Sequence, residues 1–143
     1  MMQSDGSRAP WAVVGLIFEK VARGADARVL TIGRRNKPDN IGLIGGKIDD
    51  NETPEAALVR EIFEETSLVV RRDDIRWVFR RIDYIVQAAV WYGLVEQWQG
   101  TPRSVDPEQQ VQWSPVSELL RPSNTFSRYN FELLVHLGII QPR

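Results

Sequence analysis

Gly45-Gly46-Lys47-Ile48-Asp49-Asp50-Asn51-Glu52-Thr53-Pro54-Glu55-Ala56-Ala57-Leu58-Val59-Arg60-Glu61-Ile62-Phe63-Glu64-Glu65-Thr66-Ser67-Leu68 places an acidic cluster behind a glycine turn. Thr53-Pro54-Glu55 is a helix start: a hydroxyl N-cap, a proline at the first helical position and an acid in the first turn. The spacing predicts a helix to about Thr66. On it Glu61, Glu64 and Glu65 stand at i, i+3 and i+4 and share one face, with Val59, Ile62, Phe63 and Thr66 expected on the packed side. Three carboxylates on adjoining turns repel one another by a few tenths of a kcal/mol per exposed pair, about as much as an opposite-charge pair would gain. Either a cation neutralises them, or they form a solvated acidic face softened by Arg60, four residues before Glu64.

The intervals decide between these. Gly46, five residues, Glu52, seven residues, then Arg60-Glu61-Ile62 with Glu64-Glu65 and Leu68 resembles the signature of the Nudix hydrolases. One position departs from it. Ser67 stands where that signature has glycine, at a helix end where a left-handed backbone is free only without a Cβ. Serine there is expected to cost roughly 1 kcal/mol of local stability and no ligand atom. The stretch Trp91-Tyr92-Gly93-Leu94-Val95-Glu96-Gln97-Trp98-Gln99-Gly100-Thr101-Pro102, taken with the glutamate box, is similar to the MutT branch, whose members hydrolyse nucleoside triphosphates and remove 8-oxo-dGTP. Where that branch often has Phe-Pro or Leu-Pro before the paired glycines, this chain has Leu43-Ile44, after a shorter loop.

The chain has 143 residues, 43% of them hydrophobic, which points to one domain over residues 1–143 with a flexible stretch at 1–9. It has no cysteine, so disulfides, thiolate metal sites and a cysteine nucleophile are excluded, and a reducing, cytoplasmic setting is expected. No apolar run approaches 18 residues and the first ten residues show no signal-peptide pattern, so no membrane partner is expected. The net charge of −1 argues against bulk nucleic-acid binding. A monomer or homodimer is the expected state.

Trp11 to Phe18 and Arg28 to Ile32 read as strands joined by a turn at Gly24 to Asp26, Arg34 to Asn40 as a polar loop, and Leu43 to Ile48 as the approach to the box helix. Ile75 to Ile82 and Tyr84 to Glu96 read as strands, rich in β-branched and aromatic residues. Gln110 to Trp113 reads as a short strand, Pro115 to Leu120 as a short helix and Phe126 to Leu137 as a terminal helix. Strands on both sides of a central helix, then a last helix, give an α/β fold: the helix–sheet–helix sandwich with a mixed central sheet that the Nudix resemblance also implies.

A phosphoric anhydride resists attack because its oxygens are anionic, so a catalyst must neutralise them and activate water near neutral pH. Hard divalent cations supply both, and Glu61, Glu64 and Glu65 are suitable oxygen anchors for Mg2+, with Mn2+ as a substitute. The resemblance implies that the Gly45 carbonyl completes the metal site, that Arg60 orients a glutamate, and that Lys47 meets a phosphate. For the general base it implies either a box glutamate or a loop carboxylate before the last strand, here Asp106 or Glu108; Glu108 is the one chosen, with a solvated turn acid as the equally weighted reading. Arg34-Arg35 occupies the place of a basic loop pair near the base, with Arg35 taken as the substrate contact. Asn124 resembles a base-reading asparagine, or else caps the terminal helix. Tyr84 lies where dinucleoside-polyphosphate hydrolases carry a stacking tyrosine, against strand packing as the plainer reading. His136, the single histidine, is expected on a helix face, and the five tryptophans in the core.

The preferred activity is Mg-dependent cleavage of a diphosphate linkage in a nucleotide, such as a nucleoside triphosphate to monophosphate and pyrophosphate. ADP-ribose or a dinucleoside polyphosphate is the alternative substrate. A nucleotide-sensing module without turnover is the alternative class, and it has no need for Glu52, Arg60, Glu61, Glu64 and Glu65 together.

Overall fold

The computed structural model describes residues 9–19, 26–35 and 37–142. The expected flexible segment falls outside these residues except for Ala9, and so does the expected turn at Gly24 to Asp26 except for Asp26. Six strands, β1 (Pro10–Leu16), β2 (Arg28–Arg34), β3 (Lys37–Lys47), β4 (Ile75–Asp83), β5 (Ala88–Val95) and β6 (Val111–Pro115), form one sheet in the order β4-β5-β1-β3-β2-β6. Only β1 and β5 run parallel, so the sheet is mixed. Helices α1 (Pro54–Thr66) and α2 (Ser127–His136) cover its two faces. The result is the α/β helix–sheet–helix sandwich.

Alternation along β1 builds both cores. Val13 and Ile17 pack with Leu58 and Ile62 of α1, whereas Ala12 and Leu16 pack with Val90, Tyr92 and Leu133 on the α2 side. Val29, Ile41, Leu119 and Leu134 extend the second core. Gly15 lets α1 sit low on the sheet, because a Cβ there would stand 3.3 Å from both the Leu58 and Ile62 Cδ1 atoms. Leu58 is fully buried, so burying its side chain stabilises the fold by about 1.5 to 3 kcal/mol.

Both ends of α1 follow from single residues. Thr53 Oγ1 accepts from the Ala56 N–H at 3.1 Å, and Pro54 begins the helix. Ser67 ends it in the left-handed region at φ 67°, its N–H donating to the Phe63 carbonyl, which is the conformation expected at that position.

Three local expectations are corrected. Lys37 to Asn40 belongs to β3: Lys37 pairs with Arg34 of β2, and the register shifts before Ile41 pairs with Gly33, so the extended backbone continues where a polar loop was expected. Tyr84 to Gln87 forms a turn: Asp83 Oδ1 accepts from the Ile85 and Val86 N–H groups, and Gln87 takes φ 56°, which overrides the β preference of Tyr-Ile-Val. Phe63 is 55% exposed, while Ala57 and Leu58 take the buried places with Ile62 and Thr66. The helix lies on one sheet face, and a residue 100° beyond Ile62 turns away from it. Among the described residues no helix is long and apolar enough to cross a membrane.

Candidate active site

Helix α1 runs across the sheet toward β3, which carries the paired glycines to its acidic face. Gly45 pairs with Val14 and Gly46 with Val13, and the last turns of α1 meet β3 there through Glu61 and Glu65. A methyl group at Gly46 would collide with the Glu61 carboxylate, and one at Gly45 with the Val13 carbonyl. Both positions therefore require the smallest residue.

Arg60 is the hub. Its Nε and Nη2 donate to the two oxygens of Glu52 at 2.8 and 3.0 Å, its Nη1 to Glu61 Oε2 at 3.0 Å and Glu64 Oε1 at 3.1 Å, and its Nη2 also to the Lys47 carbonyl at 3.1 Å. Asp49 adds a carboxylate 3.5 Å from Nε. One planar cation thus ties the glycine turn, Glu52 and two of the three box glutamates together, which a flexible ammonium cannot do. Its hydrogen bonds, with the Asp49 N–H donated to Glu52 Oε1 at 2.9 Å, hold the Glu52 carboxyl down to about 2.

Glu65, on the same face, has a different partner. Its Oε1 accepts from the Gly45 N–H at 3.1 Å, and burial pushes its carboxyl up to about 8, against the smaller lowering effect of that hydrogen bond. Glu61 is raised as well, first by burial, with the neighbouring Arg60 guanidinium opposing. Two half-buried carboxylates, of which only Glu61 is paired with a cationic side chain, a glycine that lets a carboxylate touch the backbone, and the more exposed Glu64 beside them suit a hard divalent cation. The carboxylates are not yet gathered around one point: among the described residues no three acidic or histidine groups converge closely enough to share an ion. Arg60 holds Glu61 and Glu64, and Gly45 holds Glu65.

The remaining expected site residues lie in other contacts. Lys47 is exposed, its Nζ 5.8 Å from the centre of the Trp11 ring. Arg35 donates to Glu108 Oε1 at 2.8 Å and also bonds Asp106, so the expected substrate arginine and the expected base hold each other across the β2 and β6 ends of the sheet. Asn124 is buried. Its Nδ2 donates to the Ile41 carbonyl at 2.9 Å and its Oδ1 accepts from the Phe126 N–H at 2.9 Å, so it secures the entry to α2 against β3. Tyr84 is 73% exposed on the β4–β5 turn, and His136 lies on α2 with its ring 5.2 Å from that of Phe79. A cavity of about 780 Å³ lined by Trp77, Trp98, Arg76, Glu96 and His136 includes none of the box residues.

A second cluster joins Arg34, which the sequence marks as part of a basic loop pair, to Arg81 and aromatic residues that the sequence reading did not single out. Arg34 and Arg81 both lie over the Phe126 ring, at 5.0 and 5.6 Å from its centre, and Arg81 also covers Tyr129 at 4.5 Å while donating to Tyr92 Oη at 2.8 Å. These residues are far apart in the chain, and no spacing rule connects them.

Residues 10–134 match the NUDIX domain family. Over 61 residues the chain is 38% identical to the 8-oxo-dGTP diphosphatase of Escherichia coli K12, a stretch that spans 41% of this chain and 45% of that protein. The crystal structure of a MutT NUDIX hydrolase from Burkholderia pseudomallei superposes with a TM-score of 0.62 at 26% identity, covering 88% of this chain and 98% of that one. A MutT structure from work on Aliivibrio salmonicida and Vibrio cholerae gives 0.65 at 21% identity, covering 90% and 98%, which speaks for the fold. A family match over nearly the whole chain, with Glu52, Arg60, Glu61 and Glu64 joined in one bonded cluster and Glu65 bonded to Gly45 beside it, places this chain in the Nudix family.

Proposed function

We propose that the protein is a hydrolase of phosphoric anhydride bonds that cleaves a nucleotide, with a nucleoside triphosphate as substrate and the monophosphate and pyrophosphate as products. The single observation that carries this is the Arg60 hub, which orders Glu52, Glu61 and Glu64 beside the half-buried Glu65. Such a cluster leaves several carboxylates undercompensated without a metal, and a module that only senses nucleotides has no use for it.

Glu61, Glu64 and Glu65, with the Gly45 carbonyl, are the residues that would hold the divalent cation, Mg2+ in this reading with Mn2+ able to substitute. When bound, the cation neutralises phosphate charge and makes water a better nucleophile near neutral pH. The chain's own part is positional. Arg60 restrains Glu61 and Glu64 and is itself fixed by Glu52. Glu65 Oε1 accepts from the Gly45 N–H, and its second oxygen is available to a cation. Lys47, exposed at the end of β3, offers a charge to a phosphate, and Arg35 another once its pair with Asp106 and Glu108 opens. That opening also frees Glu108 to take a proton from water.

A cysteine-free chain fits a cytoplasmic enzyme, and residues 1–143 are read as one domain acting as a monomer or homodimer. The test is a substrate panel with Mg2+, products resolved by chromatography: nucleoside triphosphates including 8-oxo-dGTP, ADP-ribose and diadenosine polyphosphates. Turnover of ADP-ribose or a dinucleoside polyphosphate well above every triphosphate would overturn the substrate. An inert chain with intact fold would overturn the enzyme.

A further inference from the structure

Two buried polar atoms of opposite character end without a partner at the second cluster. Asn40 is 9% exposed, and its Nδ2 donates to Thr125 Oγ1 at 2.8 Å, yet its Oδ1 accepts no hydrogen bond. Arg34 Nε is buried and donates to nothing. The two belong to one neighbourhood. Arg34 places its guanidinium over Phe126, the residue after Thr125, and its Nη2 is 3.4 Å from where a Cβ would stand on Gly42, two residues beyond Asn40. The Trp11 and Trp91 indoles also lack partners, but each is a lone donor. Here an acceptor and a donor occur in one neighbourhood. A buried polar group left unmade is costly, so the pair is poised for a ligand that satisfies both atoms.

Asn124, by contrast, has both ends of its amide engaged, to the Ile41 carbonyl and the Phe126 N–H. A base read by Asn124 must first compete with two buried hydrogen bonds, whereas Asn40 offers an unused oxygen. The surroundings suit a flat aromatic ligand: the Phe126 and Tyr129 rings with the Arg34 and Arg81 guanidiniums over them.

We propose that Asn40 Oδ1 and Arg34 Nε together read the edge of a nucleobase that presents an N–H donor beside a carbonyl or ring-nitrogen acceptor. This rests on the nucleotide reading above and adds its specificity-determining residues. Asn40 accepts from the base N–H, Arg34 donates to the neighbouring acceptor, and Asn124 keeps its structural bonds.

The probes are inosine 5′-monophosphate, whose ring N–H stands beside a carbonyl, and purine riboside 5′-monophosphate, which lacks both. Binding is measured by calorimetry without metal, and kcat/KM is measured for the corresponding triphosphates with Mg2+. The wild type is expected to favour the inosine compounds by at least about tenfold, the scale of one well-made hydrogen bond. Asn40→Ala should erase the preference and Asn40→Asp, which keeps an acceptor, should preserve it, with thermal melts confirming the fold of both. Equal treatment of the two bases by wild type, or an undiminished preference in Asn40→Ala, overturns the inference. So does a preference that Asn124→Ala alone abolishes. Cleavage confined to diphosphates that carry no base would overturn the nucleotide reading itself, a result distinguishable from base-indifferent cleavage of nucleotides.

Discussion

Arg60 grips Glu52 with two parallel hydrogen bonds, Nε to Oε2 at 2.8 Å and Nη2 to Oε1 at 3.0 Å, across the turn that leads into α1. The seven residues between them are the length needed to run from that turn, through the cap at Thr53, to the second turn of the helix. A lysine in place of Arg60 keeps the charge and loses the fork. Arg60→Lys is therefore expected to lower kcat/KM at least tenfold and to lower stability. Steady-state kinetics and a denaturant titration check it; unchanged values in both would remove Arg60 as the organiser of the cluster.

The same pair sets a pH dependence. The Glu52 carboxyl titrates near 2 in the folded protein and near its ordinary 4.5 when unfolded. The unfolded chain therefore binds the proton more readily, and the stability this residue supplies is full above 4.5 and is lost as pH falls toward 2. Glu52→Gln should melt lower than wild type at pH 7, and the gap between the two should narrow steadily below pH 4.5. A gap that stays constant from pH 6 to pH 3 would contradict the assignment.

Glu64→Gln and Glu65→Gln are each expected to reduce metal-dependent turnover by at least about 100-fold, because a neutral amide is a poor ligand for a hard cation. The fold should persist in both. Glu65→Gln should even tolerate its site well without metal, since burial already disfavours the charged carboxylate there. Retained turnover with unaltered Mg2+ dependence in either variant would take that residue out of the metal site.

Ser67 holds φ 67° without glycine's freedom. Ser67→Gly should raise stability by up to about 1 kcal/mol with little effect on turnover. A lower melting temperature in the variant would show that the serine side chain makes up for its strain.

Asn124→Ala leaves the Ile41 carbonyl and the Phe126 N–H without partners in a buried place. The expected loss is about 1 to 3 kcal/mol of stability. Chemical denaturation measures it directly, and a variant as stable as wild type would show that Asn124 is free for another task.

The periodicity of one segment carried much of this protein. Thr53-Pro54 and Ser67 fix both ends of α1, and the intervals from Gly46 to Glu65 fix which carboxylates share a face, because capping and helical spacing are local physics that neighbours in sequence decide. Local pattern failed where a partner from elsewhere took over: Lys37, expected in a loop, pairs with Arg34 of β2 at the start of β3, and Phe63 stayed in water because α1 covers one face of the sheet. Only the tertiary structure decided which polar groups are satisfied. Arg35 finds Asp106 and Glu108, Asn124 finds Ile41, and Asn40 with Arg34 is left holding one free acceptor and one free donor. Each of those outcomes depends on groups brought together over some 70 to 85 residues of chain. Contacts at that range are set by how strands order and helices pack, which no spacing within a single segment encodes.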